Sequence, residues 1–260
     1  MKKKQLVSLM SSKIHSAKNR AYSNDLVRRK IHKSRFLSNL WKLKWVGQNN
    51  MDAEVLKFLN WENGYFIELG ASDGIRFSNT LHLELYHGWK GVLIEPSPIE
   101  FEKLKLNRSN LNSFENCVCV ENGFKGETLE LIYSGLMTVD TNKKLGVTSP
   151  EEHAEAGVAF INIDTYRFQA RALTLTCVLV ESASPRDIDF LSLDVEGSEL
   201  NVLKGLDLDL FVIKFILIET RDIEIINSYL IKFNYNLVAR FSDQDFLFEK
   251  FSSSKLVPRF

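Results

Sequence analysis

The chain has 260 residues, 45% of them hydrophobic and 25% charged, and its 33 basic side chains balance 33 acidic ones. That is apolar material for one sizeable α/β domain plus an extension, and no apolar run approaches the length of a transmembrane helix. Cys117, Cys119 and Cys177 are odd in number and lack a CxxC spacing, which points away from a structural metal cluster, a disulfide framework and an oxidising compartment.

The neutral total conceals an asymmetry. Residues 1–50 hold 13 Lys and Arg against Asp25 alone, which leaves 20 basic and 32 acidic residues in the remainder. A basic arm on an acidic body can dock on nucleic acid, on an anionic membrane surface, or on the acidic body of its own or a neighbouring subunit. A solvated, partly helical extension fits the same composition. Lys2-Lys3-Lys4 is followed by a short apolar stretch broken by Gln5, Ser8 and Ser11, so no signal peptide is expected and the cytoplasm is the expected location. The division expected is a basic extension over residues 1–45 and a catalytic domain over 46–260.

Ala53, Val55, Leu56, Phe58 and Leu59 have the spacing of an amphipathic helix lying against a sheet. The first strand is predicted from Tyr65 to Leu69. Ser78-Asn79-Thr80 opens a helix that Gly88 stops, and Gly91-Val92-Leu93-Ile94 forms a second strand. In Glu95-Pro96-Ser97-Pro98-Ile99-Glu100, Ser97 caps the next helix, Pro98 takes its first position and Glu100 completes a capping box. Cys117 to Val120 reads as the third strand.

From Gly123 to about Thr176 the α/β rhythm lapses. Strand candidates at Leu129–Tyr133, Val158–Ile163 and Leu173–Val178 surround a polar segment from Thr141 to Glu155, a substrate-side insertion. Phe190 to Asp194 and Phe215 to Glu219 are buried-type strands, each followed by a helix. Asn236–Phe241 and Phe246–Phe251 make a terminal antiparallel hairpin. The fold expected is a doubly wound, mostly parallel α/β sheet of Rossmann-like type, whose ligands gather at the carboxyl ends of its strands. Glu68, Glu95, Asp194 and Glu219 all fall at such ends.

Two of these acids frame a nucleoside site. Glu68 precedes the loop Gly70-Ala71-Ser72-Asp73-Gly74, and Glu95 closes the second strand a βαβ unit later, where a carboxylate holds ribose hydroxyls. The loop lacks the middle glycine of GxGxxG. Glu68 and Asp73 beside it would repel a pyrophosphate and attract the ammonium and sulfonium of S-adenosylmethionine. Ser78, Asn79 and Thr80 serve either as helix caps alone or as caps that also touch cofactor.

Asp194-Val195-Glu196-Gly197-Ser198-Glu199 packs three carboxylates into six residues. If the strand stays extended, Asp194 and Glu196 share a side, and their repulsion calls for a cation, a shared proton or a donor. Glu199 fits the first turn of a helix, where the dipole favours an acid. His82 and His87 read as ordinary surface or packed histidines. His153 is the better catalytic candidate because its insertion can close over an acceptor. Arg221 suits either a grip on substrate or the surface.

Taken together, Gly47-Gln48, Phe66 to Gly74, Ser78-Asn79-Thr80, Glu84, Gly88-Trp89-Lys90-Gly91, Ile94 to Pro98 and Asp194 to Glu199 resemble the FkbM-type methyltransferases over roughly residues 45–250. The resemblance implies a class I S-adenosylmethionine-dependent fold with a seven-stranded sheet, and O-methylation of a sugar or another hydroxyl in a glycan, glycolipid or natural product. It further implies cofactor contacts from Glu68, Gly70, Ala71, Asp73, Gly74, Ser78, Asn79, Glu95 and Pro96. Asp194 and Glu196 would line the catalytic mouth, as base or, with Glu219, as holders of a divalent cation. Two other activities stay open: a nucleic-acid methyltransferase using the basic arm, and a nicotinamide-dependent oxidoreductase.

Overall fold

Strand β1 (Tyr65–Leu69) sends Phe66 into one apolar cluster and Ile67 and Leu69 into another, and all three are buried. A strand sealed on both faces needs parallel neighbours and helices over each side. The computed structural model describes residues 45–133, 138–140 and 165–251. Helix α1 (Met51–Leu56) precedes β1, and α2 (Leu81–His87), β2 (Lys90–Ile94), α3 (Pro98–Asn107) and β3 (Ser113–Glu115) follow it. Next come β4 (Val118–Val120), β5 (Thr128–Tyr133), β6 (Val139–Asp140) and β7 (Tyr166–Thr174). The alternation then resumes with α4 (Leu175–Glu181), β8 (Asp187–Leu193), α5 (Glu199–Lys204), β9 (Val212–Glu219), α6 (Ile223–Leu230), β10 (Tyr235–Arg240) and β11 (Asp245–Lys250).

The main sheet is seven-stranded in the order β10-β11-β9-β8-β1-β2-β3. It is parallel from β3 to β9, and β11 runs antiparallel to both β9 and β10. Leu104 of α3, Leu83 of α2 and Val55 of α1 pack with Phe66, Leu93 and Phe190 on one face. Val178 of α4, Leu203 of α5 and Ile226 of α6 pack with Ile67, Leu191 and Ile216 on the other. The sheet is therefore doubly wound, as expected. The order in which strands are laid down reverses between β1 and β8, and such a switch point opens a crevice at the carboxyl ends of the strands.

The third strand corrects the sequence reading. Strand β3 at the sheet edge is three residues long, with no apolar run to announce it. The more apolar Val118–Val120 pairs instead with β7 in a second sheet, ordered β4-β7-β5-β6. The candidate strand Leu173–Val178 is also corrected, since β7 ends at Thr174 and a helix begins. Thr174 Oγ1 accepts from the Cys177 N–H at 3.2 Å, and Leu175, Val178 and Leu179 are buried at helical spacing. Only half of the expected capping box forms. Ser97 Oγ accepts from Glu100 N, but the Ser97 N–H goes to Glu95 Oε1 at 2.8 Å while Glu100 turns to Lys103 and Tyr133.

Among the described residues no helix is long and apolar enough to cross a membrane. The basic extension through residue 44, the Thr141–Glu155 segment with His153, and the Val158–Ile163 candidate lie outside the described residues. Strand β10 is tied to the parallel sheet by Tyr235, fully buried, whose hydroxyl donates to the Ile213 carbonyl at 2.7 Å. Tyr235→Phe should lower the stability measured by urea unfolding by about 1 kcal/mol. An unchanged midpoint would show that this bond does not anchor the hairpin.

Candidate active site

The glycine loop after β1 is folded against the end of β2. Gly70 N and Ala71 N both donate to the Ile94 carbonyl at 3.1 Å, and Ser72 N donates to Glu95 Oε2 at 2.8 Å. Gly70 has a positive φ of 74°, and a Cβ there would stand 2.1 Å from the Asp194 carbonyl oxygen. Only glycine lets the loop lie across the switch point between β1 and β8. A cavity of about 330 Å³ opens at that point. Its volume suits a small ligand.

Strand order gives the cavity two unlike ends. On the β2 side its wall is Glu95, Pro96, Cys117, Val118, Cys119 and Leu131; on the β8 and β9 side it is Asp194, Glu196, Glu219 and Arg221. Ser72, Phe77 and Glu196, all on this wall, hold φ values of 47°, 60° and 51°. Left-handed backbone at non-glycine residues costs free energy and tends to collect at binding sites. Asp194 and Glu196 do not reach the cavity by continuing an extended strand, since β8 ends at Leu193 and the chain turns at Glu196. The turn itself aims them there.

The loop-side acids are arranged otherwise than the sequence suggests. Glu68 is buried, and its carboxylate accepts from Ser78 Oγ, Asn79 N, Thr80 Oγ1 and the guanidinium of Arg108. It is a neutralised anchor and not a charge facing ligand. Asp73 Oδ1 accepts from Ile75 N and Arg76 N. Glu68, Ala71, Asp73, Gly74 and Ser78 are absent from the cavity wall, whereas Gly70, Ser72, Glu95 and Pro96 form part of it. Asn79 donates to Ser192 Oγ at 3.1 Å and lines a small recess shared by Asp194 and Glu219.

Electrostatics single out the cavity acids. Glu95 is 5% exposed, and burial pushes its pKa up to about 7 despite the two backbone N–H groups that favour the anion. Burial, then the charge of Glu219, holds Asp194 well above the usual carboxylate range. Glu219 rises to about 7, through burial first and then the nearby Asp245 and Glu196. Two adjoining carboxyls resist ionising together. Among the described residues no group of three or more His, Cys, Asp or Glu is arranged to hold a metal ion. His82 stacks on Trp45 and Tyr86, and His87 bonds Glu62, so both are packed residues away from the cavity.

Sequence reading missed Ser72, Arg76, Phe77, Gln244 and the Cys117–Cys119 wall. The buried Arg108 also escaped notice, because it stands in the polar run Asn107-Arg108-Ser109-Asn110. The Glu95 pKa carries a pH dependence. Folded, Glu95 ionises near pH 7; unfolded, near 4.5. Between these values the folded state holds a proton that the unfolded chain has released, so stability is fullest below about pH 4.5 and declines as pH rises to about 7. In urea melts of the ligand-free protein, the Glu95→Gln variant should lack a pH-dependent loss on the order of 2 kcal/mol seen in the wild type over this window. Parallel pH profiles for the two proteins would contradict the burial of an ionisable Glu95.

Comparison with known proteins fits this geometry. A search of curated proteins returns no match. Among solved structures, human methyltransferase 10 domain containing protein is similar at 12% identity and a TM-score of 0.43, over 78% of this chain and 82% of that chain, a likeness too distant to carry weight. The family model of the methyltransferase FkbM domain matches residues 68–237, from Glu68 at the end of β1 to the middle of β10. That span takes in the glycine loop, Glu95, the second sheet and both strand ends that bear Asp194 and Glu219, and the chain belongs to the FkbM methyltransferase domain family.

Proposed function

We propose that this methyltransferase takes its methyl group from S-adenosylmethionine and transfers it to a hydroxyl of a sugar or similarly hydroxyl-rich acceptor. The observation that carries the reading is Glu95, which lies on the cavity wall with each carboxylate oxygen engaged, among the described residues, by one N–H, from Ser72 or Ser97. Each oxygen keeps a lone pair for a ribose hydroxyl. The apolar wall of Pro96, Val118 and Leu131 beside it suits a purine, and the acid end suits a cationic centre. Bound there, S-adenosylmethionine would supply a methyl group on a sulfonium, open to in-line displacement. The carboxyl groups gathered at that end disfavour the pyrophosphate of a nicotinamide cofactor.

A hydroxyl acceptor must give up a proton. Glu219, which titrates near 7 on the cavity wall beside Asp194, is placed to take it close to neutral pH. Phe77, 38% exposed, together with Gln48, Arg221 and Gln244, offers an aromatic surface and planar polar side chains, a combination suited to a ring bearing several hydroxyls.

Three measurements test the reading. Glu95→Ala should weaken S-adenosylhomocysteine binding by about 1–3 kcal/mol in titration calorimetry, and equal affinity would remove the ribose role. Asp194→Asn should bind S-adenosylhomocysteine nearly as the wild type does, yet turn over more slowly when labelled cofactor is offered with a panel of saccharides, glycolipids and RNA. Stabilisation by NADH but not by S-adenosylhomocysteine in a melting assay would replace the assignment with an oxidoreductase.

A further inference from the structure

Arg108, just past the last turn of α3, is not on the cavity wall and is 0% exposed in its side chain. Its guanidinium reaches four separate pieces of the chain. Nε donates to Glu84 Oε2 of α2 at 2.8 Å; Nη1 donates to Glu68 Oε2 of β1, to the Gly74 carbonyl and to Ser78 Oγ at 3.2, 3.3 and 3.1 Å; Nη2 donates to Thr80 Oγ1 at 2.9 Å. The aliphatic stem is used too. A Cβ on Gly74 would stand 2.7 Å from Arg108 Cγ, so the last glycine of the loop rests directly on it. The preceding residue grips the same loop, because Asn107 Nδ2 donates to the Asp73 carbonyl at 2.8 Å.

This is more than general packing. Arg108 and Asn107 reach the loop backbone at the Gly74 and Asp73 carbonyls, and Arg108 also holds side chains of β1, of the turn leading into α2 and, through Glu84, of α2 itself. The loop's other end is fixed by the bonds from Gly70, Ala71 and Ser72 to Ile94 and Glu95. A planar fork of donors can hold several acceptors at once in fixed relative positions, which a lysine ammonium cannot do. The two carboxylates Glu68 and Glu84 flank one cation, so loss of that cation would leave buried negative charge beneath the loop.

We infer that Arg108 is a positioning residue for the cofactor loop: by bridging Glu68, Glu84, Ser78, Thr80 and the Gly74 carbonyl, it holds residues 70–80 in the shape that presents Gly70 and Ser72 to a nucleoside ligand. The inference rests on the cofactor reading above for the identity of the ligand, and on the hydrogen bonds alone for the loop.

The test compares wild type with Arg108→Lys and Arg108→Met by hydrogen-exchange mass spectrometry of the ligand-free protein and by S-adenosylhomocysteine titration. Residues 70–80 should exchange faster in both variants while peptides from β8 and β9 keep their protection. Affinity should fall roughly 10- to 100-fold in Arg108→Met, the loss usual when a group that only orients contacting atoms is removed, and less in Arg108→Lys. Unchanged exchange at 70–80 overturns the inference. So does uniform loosening of the whole sheet, which would mark Arg108 as a stability element only. If Arg108→Met fails to fold, Thr80→Val gives the same local readout with both charges retained. A wild type that does not bind S-adenosylhomocysteine would defeat the cofactor reading, while the exchange data would still decide whether Arg108 sets the loop.

Discussion

Carboxylates placed at the ends of buried parallel strands must find partners, and this requirement organises the molecule. Glu68, Glu95, Asp194 and Glu219 stand at or just beyond the ends of β1, β2, β8 and β9, strands adjacent in the sheet. Each meets the cost of burial differently. Glu68 is neutralised by Arg108 and three further donors. Among the described residues Glu95 has two backbone N–H groups, and Asp194 and Glu219 lie near one another on the cavity wall. An isolated buried carboxylate is expensive, so the acid with a full set of protein partners is structural and those with an incomplete set are the ones left to meet a ligand.

Helix α3 connects these solutions. Its N-terminus starts beside Glu95, with Ser97 capping its first turn, and its C-terminus ends in the Asn107 and Arg108 grips on the glycine loop. The loop is thus held on one side by the end of β2 and on the other by the C-terminal end of α3. Strain follows from this confinement. Ser72 adopts a left-handed backbone to bring its N–H to Glu95, and Glu196 does so across the crevice. Such conformations persist only where the surroundings over-determine them.

The apolar runs that end in an acid made the central strands legible, because a strand buried on both faces has no polar alternation and reads as continuous apolar sequence. The same rule failed at the margins. Strand β3 is too short and polar to declare itself, and Val118–Val120, apolar enough for the main sheet, is recruited by β7 into the second one. At Leu175–Glu181 the β-branched residues favoured a strand, but a single Thr174 cap and the spacing of Leu175, Val178 and Leu179 made a helix. In the site, Glu95, Asp194 and Glu196 could be found from strand ends. For Glu68, beside the glycine loop, no sequence pattern announced the Arg108 cation that neutralises it.

The sequence alone determined the alternation of strands and helices, the glycine loop and the ring of strand-end acids, since these depend on local periodicity and on residues near one another in the chain. Tertiary structure decided which of those acids remain available. Glu68 and Arg108 are 40 residues apart and become a buried pair only when α3 packs on β1, and Asp194 meets Glu219 only when β8 and β9 align. Charge compensation is a property of distance in space, and it is carried by contacts that no local pattern records.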